Sequence, residues 1–181
     1  TATGTYTVRL IATNSFGCKD TFTSTSLVSI GSPVASFNMS VSSVCSGKNV
    51  SFTNTSTPSG YTSAWNFGNG GTSTSNNPTY TYSTSGTYKV RLIVTRSGCS
   101  DTDTKTITVN PNPSVNFTAT PTDGCAVPFS TTFSNSSTSA SSYLWRFGDG
   151  NTSASTNPSH TYTAIGNYTV KLIASNSSGC T

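Results

Sequence analysis

Glutamate and glutamine are absent from this 181-residue sequence, and charged residues make up only 8% of it. Helices draw heavily on Glu, Gln, Lys and Arg, so their absence or scarcity excludes an all-α chain. The same shortage limits catalysis, because one histidine, His160, and five aspartates are the few candidates for a general base or a metal cage. We therefore expect no enzyme active site, no cofactor and no metal.

Two further absences narrow the function. No apolar run approaches the length of a membrane span, about 20 residues, so membrane insertion is not expected. The nine Lys and Arg residues, which bring the net charge to +4, are scattered along the sequence. Because a nucleic-acid binder normally concentrates such residues on one face, nucleic acid is not expected as a partner.

The sequence is rich in small hydroxyl residues and also contains aromatic residues. The sequence contains 35 Thr and 34 Ser, and aromatics make up 10% of it. Thr, Val, Tyr and Phe suit pleated, half-buried strands. In 87–95, apolar residues alternate with polar or mixed neighbours, which predicts a strand with one buried face. Composition and alternation together predict an all-β fold rather than disorder.

A repeat of about 80 residues organises the chain. A unit of this size fits a small β-sandwich better than a short solenoid unit. The recurring segments are GTYTVRLIATNSFGC from Gly4, GTYKVRLIVTRSGC from Gly86 and GNYTVKLIASNSSGC from Gly166; WNFGNG from Trp65 and WRFGDG from Trp145; and NNPTYTY at 76–82 and TNPSHTY at 156–162.

Proline-rich junctions divide the chain into three parts. Gly31–Pro33 and Pro111–Pro113 mark the junctions, because proline cannot continue a central strand. The middle repeat is predicted to hold strands A to G near 34–40, 49–55, 62–67, 71–75, 79–82, 87–95 and 101–109. The predicted domains are strands F and G of one repeat (1–31), a complete repeat (32–111) and a repeat lacking its last strand (112–181). We expect the chain to be a window on a longer array.

Three motifs, W-x-F-G-(D/N)-G, N-P-x-x-x-Y and G-x-Y-x-V-x-L-I, recur in order and resemble those of the PKD (polycystic kidney disease) domain. The resemblance covers essentially the whole chain. It implies tandem Ig-like, seven-stranded antiparallel β-sandwiches arranged end to end. A cysteine before strand B and a Gly-Cys after strand F further resemble PKD domains of giant cell-surface adhesins in gliding, type IX-secreting bacteria. The family implies extracellular display, adhesion or spacing, without catalysis.

The aromatic residues of the motifs are predicted to form the core. Both tryptophans fall on strand C, where an Ig-like sandwich buries a Trp, so packing is favoured over sugar stacking. The predicted core residues are Trp65, Trp145, Phe67, Phe147, Tyr88 and Tyr168.

The few titratable residues do not repeat as a shared site would. Asp149 is replaced by Asn69 in the middle repeat, which predicts a turn cap rather than a calcium ligand. Asp101 and Asp103 form a pair in the middle repeat, but the first repeat has only Asp20 in the corresponding segment. His160 has no histidine counterpart in the middle repeat and is predicted to face solvent or a neighbour.

Five cysteines recur at the spacing of the repeat and indicate a disulfide framework in an oxidising exterior. No two lie close in sequence, so a zinc site is not expected. Two pairings fit the count. One closes each repeat on itself, as Cys45–Cys99 and Cys125–Cys180; the other is staggered, as Cys45–Cys180.

Geometry separates these pairings better than entropy does. Loops of roughly 55 and 135 residues differ by under about 1 kcal/mol in closure entropy. A disulfide needs Cα atoms within about 7 Å, whereas the A–B and F–G turns of an Ig-like sandwich lie a strand length apart, roughly 25 Å. We therefore favour the staggered bond Cys45–Cys180. On this hypothesis Cys18, Cys99 and Cys125 pair with adjacent repeats.

The sequence thus favours a non-catalytic structural segment, the shaft of an extracellular filament or giant adhesin at a bacterial cell surface. Its expected partners are neighbouring repeats of the same chain, other copies in a filament, and surface glycans. The alternative is a carbohydrate-binding or spacer module of a secreted polysaccharide-degrading enzyme. A flat, solvent-facing strip of Tyr61, Tyr80 and Tyr82 would favour that alternative.

Overall fold

The computed structural model describes residues 4–181, and for residues 26–30 the backbone alone. It contains sixteen β-strands over this range, and every regular element among these residues is a strand. The all-β prediction is therefore confirmed. Residues 4–181 also hold no helix with the length and apolar character that crossing a membrane requires.

The first two strands form an isolated antiparallel hairpin. β1 (Gly4–Thr13) and β2 (Lys19–Ile30) pair with each other, and within residues 4–181 no third strand joins their sheet. All of β1 is exposed; Leu10, for example, keeps 64% of its surface accessible. Strands that should bury one face leave it open here, because the hairpin has no layer packed on it among residues 4–30.

The middle repeat forms two sheets. One has the order β4–β10–β9–β6–β7 and the other the order β3–β5–β8. Alternation along β9 is as predicted, with Val90, Leu92 and Val94 buried. The strands are β3 (Phe37–Met39), β4 (Ser43–Cys45), β5 (Asn49–Asn54), β6 (Thr62–Asn66), β7 (Thr72–Ser73), β8 (Thr79–Thr81), β9 (Gly86–Arg96) and β10 (Cys99–Asn110).

One of these eight strands was not predicted. β4 pairs in parallel with the end of β10, so that Cys45 lies opposite Asn110. The prediction of seven strands, with Cys45 in the A–B turn, is therefore corrected. Three residues, Ser43–Cys45, are too few for alternation to be visible in the sequence, and their pairing depends on a partner far along the chain.

The last repeat forms two three-stranded sheets, ordered β11–β12–β15 and β14–β13–β16. In the first sheet β11 and β15 flank β12 in antiparallel register; in the second, β14 and β16 flank β13. The strands are β11 (Phe117–Thr120), β12 (Phe129–Asn135), β13 (Ser142–Arg146), β14 (Thr152–Ser153), β15 (Ser159–Tyr162) and β16 (Lys171–Ser175).

Closeness of the Cα atoms in space divides the chain into two compact units. The first takes in residues up to Ser40, Ser51–Pro78 and Lys89–Lys105; the second takes in Val41–Val50, Thr79–Tyr88 and Thr106–Thr181. Each has a buried apolar centre. That of the first comprises Phe37, Phe52, Trp65, Phe67, Val90, Leu92 and Val94; that of the second includes Val50, Tyr82, Ile107, Val109, Phe133, Trp145, Phe147, Tyr162, Leu172 and Ala174.

The W-x-F-G motif owes its glycine to a close backbone approach. Gly68 and Gly148 both adopt positive φ, +86° and +89°. A Cβ atom at Gly148 would lie 2.8 Å from the carbonyl oxygen of Thr169, and one at Gly68 would lie 2.7 Å from that of Lys89. Glycine is required at both positions, because a side chain is disfavoured by the dihedral and has no room.

The N-P motif fastens its segment to the neighbouring strand. Asn77 Oδ1 accepts the Asn54 N–H at 2.9 Å, and the Pro78 carbonyl accepts the Phe52 N–H at 2.9 Å. In the last repeat Asn157 and Pro158 make the same two bonds. The asparagine amide and the proline carbonyl thus set the register of β5 and of β12, which explains why the pair recurs.

A disulfide-linked junction as the candidate functional site

The structure joins Cys45 and Cys180 by a disulfide, with Cα atoms 5.6 Å apart and a sequence separation of 135. Both residues belong to the second compact unit. Cys180 is buried, with 1% of its surface exposed, and Cys45 is half buried. This is the staggered pairing that the sequence analysis favours.

Strand β10 shows why the intra-repeat alternative is out of reach. Its first residue is Cys99, and its last residue, Asn110, lies opposite Cys45. The strand has 12 residues, so its ends are about 35 Å apart at about 3.3 Å per residue. A disulfide spans about 7 Å between Cα atoms at most.

Asn176 organises the loop that carries Cys180. Its Oδ1 accepts the N–H groups of Ser178 and Cys180, both at 3.0 Å, and its Nδ2 donates to the Pro111 carbonyl at 2.8 Å. One side chain therefore shapes the loop and ties it to the segment that follows β10. Sequence reasoning did not single out Asn176; the shared N-S-x-G-C pattern at Asn14 was the available signal.

Asparagine side chains also hold the Cys45 side of the junction. Asn110 Nδ2 donates to Ser43 Oγ at 2.8 Å, and Asn112 Nδ2 donates to the Ser46 carbonyl at 3.1 Å. The Ser46 N–H donates in turn to the Asn110 carbonyl at 2.9 Å. The disulfide is thus surrounded by short polar contacts that fix the backbone on both sides of it.

The remaining cysteines, Cys18, Cys99 and Cys125, are free and exposed. Cys18 and Cys99 stand 81 residues apart, as do Cys99 and Cys180, and Cys125 stands 80 residues after Cys45. The described residues bring none of the three to another thiol. Their predicted partners in adjacent repeats therefore stay a prediction.

The two aspartates of β10 act as hydrogen-bond acceptors for backbone amides. Asp101 Oδ2 accepts the Ala35 N–H at 2.7 Å, and Asp103 Oδ2 accepts the Phe37 N–H at 3.2 Å. The bond from Ala35 lowers the pKa of Asp101. Among the described residues, no three His, Cys, Asp or Glu side chains are grouped closely enough to hold a metal ion. The carboxylates fasten β10 to the segment around β3 instead.

Asp149 caps its turn and pairs with His160. Its Oδ1 accepts the Asn151 N–H at 3.0 Å, while its Oδ2 accepts a bond from His160 Nε2 at 2.7 Å. Desolvation opposes ionisation, but the bonds from His160 and Asn151 outweigh it and lower the pKa of Asp149 to about 2. The His160 ring also stacks on Phe147, with centroids 4.1 Å apart. His160 therefore faces a neighbour.

Acid should weaken this corner of the last repeat. Because the pKa of Asp149 falls from 3.8 to about 2 on folding, its contribution to stability is complete above about pH 4 and is lost as the pH falls towards 2. Solvent screening limits the effect to about 1 kcal/mol. Asp149→Asn should therefore destabilise the chain at pH 7 and flatten its stability between pH 4 and 2, as measured by urea unfolding at each pH.

The middle repeat supplies the control, because it carries Asn69 and Tyr80 at these positions. Asn69→Ala should leave the pH dependence of unfolding unchanged, because an amide side chain does not titrate. Asp101 also has a lowered pKa and supplies a residual slope in every variant. An Asp149→Asn variant whose slope between pH 4 and 2 equals that of the parent would contradict the assignment.

The structure buries four of the six predicted core aromatics and leaves two half buried. Trp65, Phe67, Trp145 and Phe147 are at most 2% exposed. Tyr88 and Tyr168 lie at the rim, because their hydroxyls donate to the carbonyls of Thr84 and Ala164, four residues earlier. Tyr82 and Tyr162, which stack on them, are buried instead. Since Tyr82 is buried, no flat strip of Tyr61, Tyr80 and Tyr82 is present.

Two-sheet repeats with a buried Trp on a central strand and a tyrosine bonded back to the preceding turn define a class, the Ig-like β-sandwich modules. Within that class, the PKD domain family matches residues 31–111 and 108–181. This chain belongs to the PKD domain family and carries two such domains in tandem. Its disulfide joins a cysteine of the first matched stretch to a cysteine of the second.

The chain is similar to part of a collagenase and to two solved PKD1 domains. Over 38 residues the chain is 55% identical to the collagenase ColA of Bacillus cereus, a match that spans 21% of this chain and 4% of the collagenase. It is 42% identical to the PKD1 domain of the Vibrio cholerae metalloprotease PrtV, covering 44% of this chain and 98% of that domain with a TM-score of 0.39. The PKD1 domain of Vibrio anguillarum Epp is 34% identical, covering 45% and 96%, with a TM-score of 0.39.

Proposed function

We propose that this chain is a non-catalytic structural segment that transmits tension along the shaft of an extracellular filament or giant cell-surface adhesin. The observation that carries the proposal is the Cys45–Cys180 disulfide. It connects two tandem domains covalently, over and above the continuous backbone. Such a bond changes how the chain responds to a pull.

The bond offers force a shorter path than the backbone does. Tension that arrives through the chain before Cys45 crosses to Cys180 and bypasses the 135-position stretch between them. That stretch contains β5 to β16, including both buried tryptophans. Those strands carry no load while the bond is intact, so the domains cannot be drawn out into extended chain.

The free cysteines extend this arrangement to an array. Cys18 and Cys99 hold the repeat position of Cys180, and Cys125 holds that of Cys45. We infer that each bonds to a neighbouring repeat, so that every junction carries one staggered disulfide. Neighbouring repeats, and other copies in a filament, are then the partners of this segment. Disulfides form and persist mainly in oxidising compartments, which supports a location outside the cytoplasm.

The resemblance of the cysteine positions to those of gliding-motility adhesins supports a place at the surface of a type IX-secreting bacterium. The competing role is that of a spacer or carbohydrate-binding module beside a secreted enzyme, with surface glycans as ligand. The PrtV and ColA names favour the spacer form of that role. The burial of Tyr82 argues against the carbohydrate-binding form, because it removes the exposed aromatic strip.

Single-molecule pulling of the 181-residue chain by its two ends tests the proposal. In the oxidised chain the stretch between Cys45 and Cys180 should stay closed at forces that unfold ordinary domains. Reduction should release about 450 Å of additional contour length, from 135 positions at about 3.4 Å each. Cys99→Ser is the control and should behave like the parent, because Cys99 is free. Full-length extension of the oxidised chain would refute the shaft mechanism.

A further inference from the structure

The middle repeat carries an open cleft of about 460 Å³ on the outer face of its five-stranded sheet. The residues that line it come from β6, β7, β9 and the position after β7, all within the first compact unit. Side chains alternate along a strand, so Ala64 and Asn66 point away from the core on either side of the buried Trp65. The volume falls in the range of ligand sites, about 300–1,000 Å³.

Three polar side chains stand in one row across the cleft. Asn66 lies opposite Arg91 on β9 and opposite Thr72 on β7. Residues directly opposite each other have Cβ atoms about 5 Å apart, so the row presents a guanidinium, an amide and a hydroxyl side by side. The next row places Ala64 opposite Ile93, which gives the cleft an apolar patch beside its polar row.

The protein itself does not use the donors of this row. Within residues 4–181, the Arg91 guanidinium forms neither a hydrogen bond nor an ion pair. Asn66 Oδ1 accepts the Gly68 N–H at 2.8 Å, which leaves its Nδ2 group free to donate. The Thr72 hydroxyl likewise has no partner among the described residues. Since Arg91 is the charged residue of the lining, the cleft suits an anion that carries further acceptors.

A small residue makes room for the cleft. Ala64 corresponds to Leu144 of the last repeat, since each precedes the motif tryptophan. Ile93 and Ile173 are both half buried and lie opposite Ala64 and Leu144, respectively. Leucine has a longer, branched side chain, so Leu144 fills the position that Ala64 leaves open.

The last repeat keeps positive charge on this face without the small residue. Lys171 and Arg146 hold the positions of Arg91 and Asn66 and lie directly opposite each other. Like charges placed opposite each other destabilise a strand pair, and neither has an ion-pair partner in the described part of the chain. Both repeats thus present cations that complement an anionic polymer. Comparing them separates the contribution of the cleft from that of charge.

We propose that the cleft binds a carboxylate-bearing sugar unit of an acidic polysaccharide. Arg91 holds the carboxylate through two parallel hydrogen bonds, for which the planar guanidinium has the right geometry. Asn66 Nδ2 and the Thr72 hydroxyl bond to the hydroxyls of the sugar. The patch of Ala64 and Ile93 receives an apolar face of the sugar ring.

Other anionic polymers fit the cleft less well. Binding of nucleic-acid bases relies on exposed aromatic rings for stacking, and Trp65, the aromatic residue of the lining, is only 2% exposed. An acidic peptide would add to a sheet edge through its backbone, but the edge strand β7 has only two residues. A sugar acid needs neither feature. Because arginine binds its charge, the site does not require the exposed strip that the burial of Tyr82 removes.

The probe is a tetramer of galacturonic acid, titrated into the oxidised 181-residue chain and followed by NMR. The salt concentration is about 0.15 M, which screens charge attraction beyond about 8 Å. Saturable binding is expected, with amide shifts concentrated at residues 64–66, 72–74 and 91–93 and smaller shifts at 144–146 and 171–173. The methyl-esterified tetramer is neutral and should bind at least about tenfold more weakly, because bonds to charged acceptors are the stronger ones.

Three single substitutions test the geometry of the cleft. Arg91→Ala should weaken binding of the tetramer at least about tenfold. Ala64→Leu should weaken it by a similar factor at unchanged net charge, because it introduces the side chain that the last repeat carries. Lys89→Ala is the matched control, since Lys89 is exposed on the same face of β9 but lies outside the lining. Its loss should change binding by less than about threefold.

Equal binding by the parent chain and Ala64→Leu would overturn the proposal, because charge alone would then attract the polymer. No binding by the parent would also overturn it, as would equal losses in Lys89→Ala and Arg91→Ala. Tighter binding of polyglutamate or of a DNA oligonucleotide would assign the cleft to another class of polymer, with the same consequence. Arg91→Ala changes an exposed side chain and keeps the test valid if Ala64→Leu fails to fold. The lining contains no cysteine, so failure here leaves the tension proposal untouched.

Discussion

Replacing Cys45 and Cys180 together by serine should lower the free energy of unfolding by about 3–5 kcal/mol. The bond closes a loop with a sequence separation of 135, for which loop-closure entropy gives about 5 kcal/mol, and native disulfides commonly contribute about 2–5 kcal/mol. Small β-sandwiches are only marginally stable. The loss should appear as a lower urea midpoint for the double variant, measured beside the parent under oxidising conditions.

The control for this comparison is Cys99→Ser. Cys99 is exposed and free, so its replacement should change the free energy of unfolding by less than about 0.5 kcal/mol. Reductant added to the parent chain should reproduce the double variant and should not affect the double variant itself. Equal midpoints for the parent and the double variant would show that the bond does not constrain the unfolded chain.

Trp145→Ala should destabilise the last repeat by about 3–5 kcal/mol, the usual range for deleting a buried aromatic. Trp145 is fully buried and contacts the rings of Phe117 and Phe133 at centroid distances of 5.0 and 5.3 Å. Its Nε1 donates to the Ser155 carbonyl at 2.9 Å, so the variant also removes the donor of that hydrogen bond. Hydrogen exchange should show lost protection in β12, β13 and β16.

Trp145→Phe separates packing from the hydrogen bond. It keeps a ring against Phe117 and Phe133 but removes the donor to Ser155, so a cost of about 1–2 kcal/mol is expected. Trp65→Phe is the equivalent change in the middle repeat, where Nε1 donates to the Ser75 carbonyl at 2.9 Å. Normal protection of β12, β13 and β16 in Trp145→Ala would contradict the role of this residue as the centre of the core.

Much of the fold could be read from the sequence because its signals are local. Alternation along 87–95 predicted β9, and proline and glycine predicted where strands stop. The W-x-F-G and N-P motifs recur because each glycine or proline makes the same contact in both repeats, such as the approach of Gly148 to Thr169 and of Gly68 to Lys89. Strand β4 was missed since its pairing with β10 lies about 65 residues away in sequence.

The candidate site, too, was predictable from the sequence only in part. The spacing of the cysteines and the length of a strand were enough to favour Cys45–Cys180 over Cys45–Cys99. The roles of Asn176, Asp101 and Asp103 were not predictable, because each bonds a backbone group that is distant in sequence. The pairing of His160 with Asp149 was missed for a similar reason, since β15 carries His160 back to the turn that Asp149 caps.

By itself, the sequence determined the strand content, the period of about 80 residues and the membership of motifs in one Ig-like class. Alternation, turn residues and repetition are properties of neighbouring positions, and so they are visible without coordinates. Only the tertiary structure decided which sulfurs are bonded and which carboxylates bind backbone amides. Those features depend on distances between residues far apart in the chain, and folding alone fixes such distances.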